Sequence, residues 1–443
     1  MIPWVARRDT FAAMPRHRAA RQYSRQVQRR GKGVTMSGVR IAPQRTGGAA
    51  RQQRAADASA VATVRMDDDI AGAARRAIAL LGGMPALLGG RRRALLKPNF
   101  VAGRPARTGA TTNLDLLATV AELVREAGAT PLLYESSGTE FDDEATRAIL
   151  GLDAFCVRHG IELVRAIDRW VEVRPASARR LKHFRVPALL DDAALINLPV
   201  LKTHVVSGMS LAMKNLMGLL PREDRRAMHT LGIQQCLVDL NLGLRPALNL
   251  VDGSVGQEGD GPLYGARADL GALVAGRDSL AVDHVCCEIA GVDARRIGHL
   301  RLGAEQMGAR HPQLLGERIA ARRPFALPRV PPLYRFAFWL MYPLDYPFHR
   351  ATGAHLCTQL YHTGLVGTRP QIVRDACTRC GVCVDTCPLP NVINLTTLRV
   401  DPRTCERCLL CYEACPEGAI VVKGMSGAAP GHARLATASE SRS

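Results

Sequence analysis

Residues 193–204 read AALINLPVLKTH. The run 193–198 is short and almost wholly apolar, the pattern of a strand covered on both faces. Pro199 interrupts it, and the polar residues Lys202, Thr203 and His204 follow. The same pattern recurs on either side. A run at 61–64 reads as a strand. A run at 94–96 leads into Lys97, Pro98 and Asn99. A run at 130–134 empties into Glu135, Ser136, Ser137 and Gly138, and one at 247–251 empties into Asp252 and Gly253. Helical patterns lie between them. One follows the acids at 67–69, carries Ile70, Ala74, Ala77, Ile78 and Leu81 at helical spacing, and stops at Gly82–Gly83. Others are expected over 113–127, ended by Gly128, and over 208–220, ended by Pro221. Strands separated by helices predict an α/β fold, a mainly parallel sheet with helices on both faces.

In such sheets ligands bind beyond the carboxyl ends of the strands. Those ends offer Lys97 and Asn99, Glu135 and Ser136, Lys202 and His204, and Asp252. Singly, each reads as a solvated loop residue; together they predict one pocket. Two lysines and a helix amino terminus near Ser207–Gly208 favour a small anion such as a carboxylate or phosphate. Lys97 and Lys202 are the expected anion holders, His204 a proton donor, and Asp252 or Glu258 the group that orients substrate or a metal. Lys214 and Asn215 follow on the same segment, where Met209, Met213, Leu216, Met217 and Leu220 read as core. The glycine-rich stretch 253–262, with Glu258 and Asp260, is neither a Walker loop nor a dinucleotide fingerprint and is expected to be a mobile turn.

The carboxyl-terminal part is dominated by cysteine. Of thirteen cysteines, eight fall in two runs of one pattern. The first is Cys377, Cys380, Cys383 and Cys387, followed by Pro388. The second is Cys405, Cys408, Cys411 and Cys415, followed by Pro416. This spacing is the bacterial ferredoxin run, in which the fourth cysteine of each run serves the other cluster. Soft thiolates suit iron–sulphur cubes. The expected cofactors are therefore two 4Fe–4S clusters. One is held by Cys377, Cys380, Cys383 and Cys415, the other by Cys405, Cys408, Cys411 and Cys387. Interleaved triplets suit zinc poorly. A small hairpin is expected from 392–395 and 398–400, with a further strand at 419–422. One departure stands out: Gly381 follows the second cysteine of the first run, but Leu409 fills that place in the second.

Four stretches, ALLKPNF (94–100), LINLPVLKTH (195–204), GMSLAMKNLMGLLP (208–221) and NLVDGSVGQEGDGP (249–262), resemble the domain-of-unknown-function 362 family, DUF362. The resemblance covers about residues 90–300. Its implied companion is a ferredoxin-type module, here over 370–424. The family implies an iron–sulphur protein and names no reaction.

The remaining segments frame these two domains. Residues 1–56 hold thirteen Lys or Arg and one acid, Asp9, and supply most of the formal net charge of +19. They show no apolar periodicity, and the expected reading is a basic, disordered or mis-started extension, with Met36 and Met66 as alternative starts. Nucleic acid is not the favoured partner. No apolar stretch follows Arg7–Arg8, so an export signal is not expected and the compartment reads as cytoplasm. The α/β domain is expected over 57–310. A connector over 311–369 carries Tyr334, Phe336, Phe338, Trp339, Tyr342, Tyr346 and Phe348. Its favoured role is packing between domains; membrane-surface contact is the less favoured alternative. The tail 425–443 reads as disordered.

The leading expectation is an iron–sulphur oxidoreductase acting on a small anion, fed by a redox partner protein. The alternative is an electron-transfer adaptor whose α/β domain docks a partner enzyme. A flavin or other further cofactor stays open, because such sites leave no short motif.

Overall fold

A computed structural model describes residues 60–66, 69–138, 141–328 and 369–423, with a few isolated positions between 344 and 360. The basic extension, most of the aromatic connector and the tail lie outside the described residues. The α/β domain carries thirteen strands in chain order: β1 (Ala60–Arg65), β2 (Arg93–Lys97), β3 (Thr130–Leu133), β4 (Glu162–Leu163), β5 (Trp170–Val173), β6 (Phe184–Pro187), β7 (Ala193–Asn197), β8 (Val200–His204), β9 (Gly208–Ser210), β10 (Leu248–Glu258), β11 (Ala266–Ala268), β12 (Ala272–Gly276) and β13 (Gln313–Gly316). The main sheet runs β13-β1-β12-β10-β7-β2-β3-β4, with β8 and β11 also on β10 and β9 on β8. From β4 through β10 the neighbours are parallel. β12 is antiparallel to both β10 and β1. The fold is thus α/β around a mixed, mostly parallel sheet; β5 and β6 form a separate antiparallel pair.

Alternation along the central strands explains the two apolar faces. Ala94 and Leu96 of β2, with Ala194 and Ile196 of β7, face the helices Ile70–Leu80 and Leu114–Glu126. Leu95 and Leu195 point the other way, towards the helix Ile233–Gly243. A strand buried on both sides has no polar face to display, which is why these runs are continuously apolar. The helix starts also follow their residues: Asp69 accepts from the Gly72 amide and Asn113 from the Asp115 amide.

Three expectations are corrected. Residues 208–220 are not one helix. Gly208–Ser210 is β9, antiparallel to Lys202–His204, and only Ala212–Asn215 is α-helical before a tight turn over Leu216–Leu219. Lys202 and His204 therefore lie within a strand, not in a loop beyond one. The glycine-rich segment is largely strand rather than a mobile turn: β10 runs to Glu258, pairing Asp252 with Val200, Gln257 with Lys202 and Glu258 with Ala266. Glycine is required there for close approach, since a Cβ on Gly109 would lie 2.1 Å from the Gly256 carbonyl oxygen.

The carboxyl-terminal module is small. β14 (Arg369–Ile372) pairs antiparallel with β17 (Ile420–Lys423), and β15 (Ile393–Asn394) with β16 (Arg399–Val400), as the expected hairpin. Short helices span Val382–Asp385 and Leu410–Ala414. Among the described residues no helix is long and apolar enough to cross a membrane.

Candidate functional site

The strand ends of β2, β3 and β8 do converge. Lys97 closes β2 with its side chain sealed from water, and its ammonium pairs with Glu135 beyond β3. It also donates to the Pro98 carbonyl at 2.7 Å and to Asn215 Oδ1 at 3.2 Å. Asn99 Nδ2 donates to that same oxygen at 2.8 Å, and Lys202 Nζ donates to Asn99 Oδ1 at 2.8 Å. Lys202 further donates to the Ala110 carbonyl. Glu135, Lys97, Asn215, Asn99 and Lys202 thus form one buried polar chain. Buried polar groups persist only when paired, and this chain pairs its members in sequence. Burial pushes the Glu135 carboxyl up and the Lys97 amine down, and their mutual attraction offsets part of both shifts. Burial, helped by the nearby Lys214 charge, holds Lys202 well below the usual lysine range.

The segment that carries Asn215 is set from behind by Asp283, a residue the sequence reading did not single out. Asp283 is fully buried on the helix Ser279–Ile289 and accepts from the amides of Ala212 at 2.7 Å and Met213 at 3.0 Å. Those two amides open the short helix, so Asp283 acts as a tertiary cap. Gly218 lies against the ion pair, where a Cβ would come within 2.8 Å of the Glu135 carboxylate oxygens. Lys214 is half-buried and has no hydrogen-bond partner among the described residues. Burial, with Lys97 nearby, lowers it to about 8.

His204 ends β8 at 9% exposure. Burial first, and the charge of Lys214 second, hold it neutral, well below the usual histidine range. Asp252 is placed elsewhere. It accepts from the Asn113 amide at 2.8 Å and from Ser254 through its amide at 3.0 Å and hydroxyl at 2.6 Å, tethering the start of the helix Leu114–Glu126. Glu258 is buried and matched by Arg323, and it accepts from the Ala326 amide at 2.8 Å. Both acids already hold partners of their own, so neither is presented to the lysine chain.

In the small module the eight cysteines divide between two cavities. One is lined by Cys377, Cys380, Cys383 and Cys415, the other by Cys387, Cys405, Cys408 and Cys411. Each cavity therefore takes three thiols from one run and one from the other. Among the described residues no three His, Cys, Asp or Glu side chains converge on a single metal ion. Thiols spread around a cavity suit a cube with iron at alternate corners, and the donor set is the soft one such a cube requires. The Arg407 amide donates to Cys405 Sγ at 3.4 Å and the Ala419 amide to Cys415 Sγ at 3.2 Å, bonds that stabilise thiolate. The two loops have matched backbones. Arg379 and Arg407 both have positive φ (58° and 53°), as do Gly381 and Leu409 (87° and 64°). Leu409 is 1% exposed and lines the second cavity. Cys380 of the first cavity is exposed.

The second cysteine run meets the strand-end loops of the large domain. Arg107 pairs with Glu413, and Glu406 accepts from the Asp142 backbone while burial pushes it up to about 7. Arg104, only 1% exposed, stacks over the Tyr264 ring at 5.6 Å. Burial raises the Cys408 thiol and lowers the Lys202 amine, and the Arg104 charge adds a smaller downward pull on both. Neither Arg104 nor Arg107 was marked in the sequence, because nothing local distinguishes an interface arginine from a solvated one.

Comparison with known proteins agrees with this division. A family profile described as a domain of unknown function, DUF362, matches residues 94–288, and one described as a 4Fe–4S binding domain matches residues 398–421. The chain is 31% identical over 230 residues to the "Thylakoid-associated protein sll1697" of Synechocystis sp., covering 49% of this chain and 68% of that protein. No solved structure matches the chain.

Proposed function

The chain belongs to the DUF362 family, and from that premise we propose that it is an iron–sulphur oxidoreductase acting on a small anion at the strand ends of its α/β domain. In this reading Cys377, Cys380, Cys383 and Cys415 hold one 4Fe–4S cluster and Cys405, Cys408, Cys411 and Cys387 hold a second. Bound clusters of this type supply one-electron transfer. Every cluster ligand is then a cysteine, so substrate chemistry falls to the large domain. The observation that carries the reading is the contact of the second cysteine run with the strand-end loops, where Arg107 of the large domain pairs with Glu413 beside the second cavity. Exposed Cys380 places the first cavity towards solvent, where a redox partner protein would deliver electrons.

The residues divide the work. Glu135 neutralises Lys97, so Lys97 positions Asn215 rather than holding substrate. Lys214 supplies positive charge, which favours an anion, while burial and the Lys214 charge disfavour the charged form of Lys202. His204, held neutral, presents a proton at Nε2 because its Nδ1 accepts from the Val206 amide at 3.0 Å. Asp252 tethers the start of the helix Leu114–Glu126 and takes no direct part.

The test is anaerobic. The clusters are reduced chemically, and their optical reoxidation is followed on adding pyruvate or fumarate, organic anions that can accept electrons, with redox-inert phosphate as the control. An oxidoreductase shows reoxidation by at least one organic anion, and Lys202→Met slows it while leaving the cluster spectra intact. Reoxidation by none of them, with rapid exchange to a protein acceptor, would make the chain an electron-transfer adaptor instead.

A further inference from the structure

The two cavities of the carboxyl-terminal module share a plan and differ in their walls. Each is lined by a loop in which two residues take positive φ, Arg379 and Gly381 in the first, Arg407 and Leu409 in the second. Glycine enters the left-handed region at no steric cost, whereas a bulky residue does so under strain. Gly381 holds its turn at φ 87° and Leu409 holds the equivalent turn at φ 64°. A Cβ on Gly381 would meet nothing nearer than Asp385 Oδ2 at 4.0 Å. The first loop thus has room for a side chain and carries none, while the second carries one on a strained backbone. Strain kept at one of two equivalent positions points to a role for the side chain there.

That role follows from where the side chain lies. Leu409 is 1% exposed and lines the second cavity together with Leu389, Val392 and Leu410. Around Gly381 the first cavity is open: Arg379 and Cys380 are both exposed. Their counterparts are not, since Arg407 is buried and Cys408 is half-buried. One cavity therefore meets water where the other meets an apolar wall. An added electron increases the negative charge of a thiolate-held cluster, and a wall that excludes water disfavours the more highly charged state.

We propose that Leu409 is a potential-setting residue: it shuts water out of the second cavity and lowers the reduction potential of the cluster held there. The Arg104 charge pulls that potential the other way. Gly381 leaves the first cluster without such a shield. An electron on the second cluster, the one beside the large domain, is then a stronger reductant than a glycine at 409 would allow. The inference rests on the two-cluster reading and deepens it by separating the two clusters in function.

The experiment uses the full cluster-loaded chain, titrated with reductant and followed by electron paramagnetic resonance. Leu409→Gly should raise the second midpoint potential and leave the first in place. The expected size is roughly tenfold in the reduction equilibrium, or about 59 mV for one electron. Leu409→Asn tolerates the left-handed turn and keeps the bulk but not the apolar surface, so it should shift the potential the same way. Leu409→Met, apolar and as large, should leave it unmoved. Gly381→Leu should lower the first potential. A leucine that only packs would alter stability in Leu409→Gly and leave the potential unchanged, and that result would overturn the proposal. The unaltered protein gives a reading that needs no variant. After brief transfer to heavy water, pulsed resonance should detect deuterons coupled to the reduced first cluster and far fewer coupled to the second; equal coupling would also overturn it. An iron content of one cluster per chain would sink the two-cluster reading itself, whereas two clusters with unmoved potentials would sink the Leu409 assignment alone.

Discussion

Arg104 is 1% exposed and stands over the Tyr264 ring at 5.6 Å, and its charge reaches Cys408 of the second run as well as Lys202. A fixed positive charge beside a cluster favours its reduced, more negative form. Arg104→Leu should therefore lower the midpoint potential of the second cluster and leave the first unchanged. Redox titration followed by electron paramagnetic resonance reads both. Equal shifts in the two potentials would mean that Arg104 serves neither cluster in particular.

The crossed cavities make a second prediction. Cys387 sits in the first run but lines the second cavity, and Cys415 does the reverse. Cys387→Ser should perturb the signal of the cluster held by the second run, and Cys415→Ser that of the cluster held by the first. If each variant instead damages the cluster of its own run, the ligand sets are not crossed.

The Lys97–Glu135 pair is nearly sealed, at 0% and 8% side-chain exposure. Breaking a buried pair strands a charge, which costs about 3–5 kcal/mol. Glu135→Gln should lower unfolding stability by that order in denaturant titration. Removing both charges with Lys97→Met and Glu135→Leu should recover much of the loss. A Glu135→Gln protein of unchanged stability would show that the pair is already neutral.

Lys214 makes ligand affinity depend on pH. Burial, then Lys97 and Arg225, lower it to about 8, with Glu135 pulling the other way. Below that pH the ammonium is charged and attracts an anion; above it the charge is lost. Affinity for a carboxylate such as pyruvate should thus fall as pH rises through about 8, approaching tenfold per unit. The surrounding histidines stay neutral across this window, since burial lowers His204 well below its ordinary value and His229 and His299 to about 3. Lys214→Met should flatten the profile. An unchanged profile in that variant would remove Lys214 from the site.

What the sequence disclosed was what local pattern encodes. The apolar runs around Leu95 and Leu195, the caps at Asp69 and Asn113 and the spacing of the cysteines were all legible, because each is decided by near neighbours. The failures were non-local. Gly208–Ser210 reads as the start of a helix until β8 offers it hydrogen bonds. The glycines near 256 read as a mobile turn until the backbone at Gly109 packs onto them. Glu258 looks free for a ligand until Arg323 arrives from 65 positions away. Lys97 and Lys202 meet in one buried polar chain, yet their pairing with Glu135 and Asn99 depends on three strands meeting. Asp283 carries no motif at all; only the packing of its helix gives it a role.

The crossing of the two cysteine runs also bears on the order of assembly. The chain emerges from the ribosome amino end first, so Cys377, Cys380 and Cys383 appear well before their fourth companion, Cys415. Neither cavity can close until the second run has been synthesised and folded back beside the first, with β17 drawn onto β14. On the two-cluster reading proposed above, iron loading of this module is a late event, with the second set of cysteines complete before the first. A chain truncated before residue 405 forfeits both sets of four cysteines, whereas one that ends between 411 and 414 lacks only Cys415 of the first.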